Sequence, residues 1–100
     1  MEELEKTLRE IRLRLGSARG KTQCVRIRAQ HTGRLFALYV FLSAHPIDGW
    51  VFLGVLPASR SSRLVFARRD VAGEVEETFR RHGRFIDRRE LCKRVAWWLR

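Results

Sequence analysis

The chain reads as a single α+β domain: an N-terminal helix, a four-stranded antiparallel meander and two C-terminal helices. Three observations predict this. Apolar residues recur at helical spacing at the two ends, they alternate with polar ones in the middle, and turn residues, Thr32-Gly33 and the run from His45 to Gly49, separate the alternating stretches. A chain of 100 residues supports one core, burying roughly 60 to 65% of its unfolded surface without metal or disulfide staples.

Leu4, Leu8, Ile11 and Leu15 lie three or four residues apart with charges between them, which predicts a helix over 2–15, and Gly16 offers a stop. A basic loop, GSARGKT, leads into TQCVRIRAQH, an alternating strand over about 22–31. Thr32-Gly33 is a two-residue hairpin signal, and RLFALYVFLSA after it predicts a strand over about 34–43. Beyond the turn HPIDG, WVFLGVL predicts a strand over about 50–56 ended by Pro57, and ASRSSR is a basic loop before a last strand over about 63–69. Asp70 is placed to cap a helix over about 71–82 carrying Val71, Val75 and Phe79, with Gly83 suited to a left-handed ending. Asp87 and Glu90 make a capping-box-like start to a helix over about 88–99, on which Leu91, Val95 and Trp98 share a face. No repeat, linker or low-complexity tract divides the chain, so residues 1–100 are expected to form one domain.

The formal net charge is +10, and the excess lies in the middle: residues 11–69 hold eleven Lys and Arg but one acid, Asp48, while residues 1–10 sum to −2 and residues 70–100 to +2. Such a field predicts an anionic partner. Counting the hairpin register with period two puts Val25, Ile27, Phe36, Leu38, Val40, Leu42, Val51, Leu53 and Val55 on one face as core. The other face then holds Arg26, Arg28, Tyr39, Phe41, Trp50 and Phe52, extended by Arg63 and Arg69 if Leu64 and Phe66 point to the core. Cations for phosphates beside flat rings for bases predict sequence-tolerant binding of single-stranded DNA or RNA, with Arg19 and Lys21 of the first loop as further backbone contacts. The competing reading makes the aromatic face a second core layer under the helix of Trp97 and Trp98. The cations are eighteen Arg and three Lys; Arg suits phosphate, and GC-rich coding or heat adaptation produces the same bias.

Several chemistries are set aside. Cys24 and Cys92 are far apart and without His at ligand spacing, so neither a metal nor a cofactor is expected. Gly16 to Thr22 resembles a phosphate loop but has three residues between its glycines where four are needed, and it joins helix to strand in the wrong order. An acidic amphipathic start and apolar runs of about ten residues predict neither a signal peptide nor a membrane span, hence a cytoplasmic protein. The last helix is apolar where a major-groove reader would be polar; its two tryptophans point in different directions, which suits a homodimer contact. Two alternatives remain open: a module or inhibitor that binds an acidic protein, and a small toxin-like ribonuclease using His45 or His82 as acid or base.

The segment order, with the runs RLFALYVF and WVFLGV flanked by Arg, resembles the ThermoDBP type of small archaeal single-stranded nucleic-acid-binding proteins. That resemblance covers most of the chain at the level of plan and includes no diagnostic motif. It implies sequence-tolerant, non-enzymatic binding of single strands.

Overall fold

A computed structural model describes the backbone of residues 2–28, 40, 42, 44–45, 47–57 and 61–98, and the side chains of these except 2–4, 28 and 95–98. The order is helix α1 (Glu2–Ser17), strands β1 (Thr22–Arg28), β2 (Trp50–Pro57) and β3 (Ser61–Arg68), a 3-10 turn (Arg69–Val71), helix α2 (Ala72–Arg80), strand β4 (Ile86–Asp87) and helix α3 (Arg88–Trp98). The fold is the expected α+β class, with an N-terminal helix, four antiparallel strands and C-terminal helices. No helix among the described residues is long and apolar enough to cross a membrane.

The strand order departs from a meander: it is β1-β3-β2-β4. The run Leu64-Val65-Phe66-Ala67 is buried on both faces, as suits a strand flanked on either side, and this places β3 between β1 and β2. The fourth strand is Ile86–Asp87, a piece that reads in sequence as a connection. Of the strand expected over 34–43, Val40 and Leu42 are described, and both are helical. They are two residues apart, yet Val40 is 48% exposed and Leu42 4%. Side chains two apart share a face on a strand but point nearly opposite ways on a helix. A continuous apolar run does not distinguish the two by itself.

Helices cover both faces of the sheet. On one side, Leu8, Ile11 and Leu15 of α1, with Leu42 and Leu91, bury Val25, Trp50, Val55, Leu64 and Phe66. On the other, α2 lays Ala72, Val75 and Phe79 over Leu53, Val65 and Ala67. The register shifts between Phe52 and Gly54, because β2 carries one extra residue there against β3. Strict alternation would group Val51 and Leu53 with Val55. The bulge instead sends Val51, Leu53 and Leu56 toward α2 and leaves Trp50, Phe52 and Val55 toward α1. Trp50 is consequently core, 3% exposed, with the Arg68 guanidinium 3.9 Å above its ring. Arg68 also donates to the Ala18 carbonyl at 3.1 Å, tying the end of α1 to the sheet.

Two terminal signals play out differently. The start of α2 has no side-chain cap, so Asp70 does not serve as one, and Gly83 is not left-handed; among the described glycines, Gly49 and Gly54 alone have positive φ. Asp87, by contrast, accepts the Glu90 N–H at 3.0 Å and caps α3. It also takes the Arg80 guanidinium at 2.9 Å, and Arg80 reaches Glu76, which binds Arg88 in turn. The Glu90 amide and, after it, Arg80 hold the Asp87 carboxyl below its ordinary value despite partial burial. A depressed carboxylate stabilises the fold above its unfolded pKa of about 3.9 and loses that contribution as pH falls through the lower folded value. Asp87→Asn keeps an acceptor for the cap and removes the charge. Urea midpoints followed from about pH 5 to pH 2 should therefore fall less steeply in Asp87→Asn than in the natural chain; equal slopes would count against the ionised cap.

Candidate nucleic-acid interface

β1 and β3 are antiparallel neighbours whose register sets Arg26 directly opposite Arg63. By alternation both point to the face that carries Cys24 and Val65, away from Val25 and Leu64. α2 covers that face at Val65 and Ala67, and at the other end of the strands Arg26 and Arg63 are exposed. Like charges directly opposed on a sheet destabilise it by roughly 0.2–1 kcal/mol. Phosphates bound at the two guanidinium groups offset that repulsion.

Arg26 and Arg63 line an open groove of about 590 Å³ together with Arg14, Cys24, Ile27 and Ser61. Arg14 enters from α1, whose core stripe of Leu8, Ile11 and Leu15 leaves position 14 on the helix flank beside β1. Among the described residues the lining has three guanidinium groups and one hydroxyl, with no carboxylate or imidazole. Burial pushes the Cys24 thiol above its ordinary pKa, against a smaller pull in the other direction from Arg63. A thiol so placed stays neutral near pH 7 and leaves the positive field of the groove intact. Cys24 and Cys92 are both free.

None of the described acids of the C-terminal half lines this groove, and four of them are engaged locally. Glu76 binds Arg80 at 2.6 Å and Arg88 at 2.5 Å, Glu77 and Asp87 also bind Arg80, and Glu90 binds Arg94 at 3.2 Å. Among the described residues, Arg14, Arg26 and Arg63 have no ion-pair partner.

The residues expected at the site divide into groups. Arg26 and Arg63 come together as anticipated, on one face. Trp50 and Phe52 do not join them: the bulge turns both toward α1, where Trp50 is buried and Phe52 packs on Phe66 at 5.4 Å between ring centroids. The face of mixed bases and aromatics therefore does not form from these two rings. Lys21 and Arg69 lie at the opposite end of the sheet, where the Arg68 N–H donates to the Lys21 carbonyl at 2.9 Å; Lys21, Arg69 and Arg19 are exposed. Arg69 lies in the 3-10 turn rather than in a strand. The Arg28 side chain, Tyr39, Phe41 and the side chains of Trp97 and Trp98 lie outside the described residues. His45 sits in the approach to β2, and His82 faces Phe79 at 6.1 Å; neither lines the groove.

Sequence reading missed Arg14 and Ser61. Arg14 was legible on a helical projection, about 90° from the core stripe, at 100° per residue. Ser61 stands at the start of β3 across from Arg28, a pairing that only the strand order reveals. Among the described residues no cluster of three or more His, Cys, Asp or Glu could hold a metal. No family model matches the chain, and no curated protein or solved structure matches it.

Proposed function

We propose that this protein binds the phosphate backbone of single-stranded nucleic acid in the groove of Arg14, Arg26 and Arg63. The observation that carries the reading is the cross-strand pair of like-charged arginines joined by a third from α1, with no acid among the described lining residues. Guanidinium groups bind phosphate oxygens in pairs and stay charged at every physiological pH. Trp50 supplies no stacking platform, since it is core. Affinity then rests on the salt-dependent phosphate contribution and is tolerant of sequence.

The test is fluorescence anisotropy with a labelled oligothymidylate of about 12 nucleotides at salt from about 50 to 200 mM. The natural chain should bind and weaken as salt rises. Arg26→Ala with Arg63→Ala should weaken binding by about tenfold or more at the low-salt end and flatten the salt dependence. Arg9→Ala with Arg12→Ala removes the same charge from exposed positions on other parts of the α1 surface and should change little. Equal losses in the two double variants would reduce the effect to net charge and overturn the groove. Polyglutamate that displaces the oligonucleotide at matched charge would point to an acidic protein as the partner instead.

A further inference from the structure

Arg19 and Lys21 do not line the groove, yet both are exposed, and neither has an ion-pair partner among the described residues. Their position relative to the groove is set by two bonds at one end of the sheet. The Arg68 N–H donates to the Lys21 carbonyl, and the Arg68 side chain donates to the Ala18 carbonyl, so the loop from α1 to β1 is pinned at both ends. From Lys21, β1 runs to Arg26, a rise of about 17 Å over five residues of extended chain. Arg14 stands on α1 about 6 Å of helix rise before Ala18 and lines the groove with Arg26. Two groups of cations result, Arg14, Arg26 and Arg63 in the groove and Arg19 and Lys21 at the loop, joined by the length of β1.

We infer that these five residues form one track along β1, and that a single-stranded phosphodiester chain lies in it from the groove to the loop, about one phosphate to each cation. The inference rests on the groove being a nucleic-acid site and adds the direction and length of the bound strand. A bound phosphate releases counterions worth about 0.7 in the slope of log affinity against log salt for single strands. Three arginines in the groove alone would weaken binding about 20-fold between about 50 and 200 mM salt, and the five-cation track about 100-fold.

The experiment compares oligothymidylates of about 2 to 12 nucleotides on the natural chain, on Arg19→Ala with Lys21→Ala, and on the Arg9→Ala with Arg12→Ala control. The natural chain should show the roughly 100-fold salt effect, with affinity rising with length until about five nucleotides are bound. The loop variant should show about a 20-fold effect and saturate with shorter strands, and the control should retain the full effect. A loop variant that matches the natural chain in both readouts, while Arg26→Ala with Arg63→Ala fails to bind, would overturn the track and leave the groove standing. Absence of binding by the natural chain at the lowest salt would overturn the groove itself and the track with it.

Discussion

Trp50→Ala is expected to lower the unfolding free energy by about 3–5 kcal/mol, a large part of the stability of a domain this small. The indole is 3% exposed and shares a cluster with Ile11, Leu15, Val55 and Phe66. Its removal leaves a cavity among residues from α1 and two strands. The Arg68 guanidinium 3.9 Å above the ring loses its partner as well, a contact worth roughly 0.5–2 kcal/mol. Trp50→Phe keeps an apolar ring and should recover much of the difference. Chemical denaturation followed by far-ultraviolet circular dichroism measures both variants. Folded Trp50→Phe should bind oligothymidylate as the natural chain does. A Trp50→Ala protein of natural stability that had lost only binding would return the indole to the interface and refute its place in the core.

Gly54→Val should be as damaging, for a reason that involves no cavity. A Cβ at position 54 would collide with the Ile86 carbonyl oxygen and come within 2.7 Å of the Phe85 ring. Neither neighbour has room to withdraw: Gly54 faces Asp87 in the ladder that joins β4 to β2, and Phe85 packs on Phe79 at 5.5 Å. The backbone at Gly54, with φ at +157°, adds strain for any side chain. Separation of β4 would take with it the Asp87 cap and the docking of α3 through Leu91. The expected loss is about 3 kcal/mol or more, with raised amide exchange concentrated in residues 85–94. Gly54→Ala should show the same pattern at smaller amplitude. Exchange rates in 85–94 equal to those of the natural chain would refute the close approach.

These two positions also mark where the sequence was readable and where it was not. Period and turn chemistry announce α1, β1, β2 and β3, because each depends on a pattern within a few residues. The cap at Asp87 belongs to the same class, since the bond it makes is three residues away. The bulge is different. WVFLGVL alternates in neither one way nor the other, and only pairing with β3 decides that Leu53 is the extra residue. One inserted residue moves Trp50 and Phe52 from an interface to a core. β4 is two residues long and carries no period to detect. Arg26 and Arg63 were both legible as outward cations, since each alternates with buried neighbours in its own strand. Their direct opposition depends on β1 pairing with β3 across more than thirty intervening residues, which no local pattern encodes.

The local closure of the C-terminal charges matters before any contact is made. Glu76, Glu77, Asp87 and Glu90 spend their charge on Arg80, Arg88 and Arg94 within the same stretch of chain. To an approaching anion residues 70–100 present a net charge of only +2, while residues 11–69, which include β1, present +10. The molecule thus presents a lopsided potential, which turns a diffusing strand toward the groove and raises the rate of productive encounter rather than the lifetime of the complex. Carboxylates that never touch the ligand shape how fast it arrives.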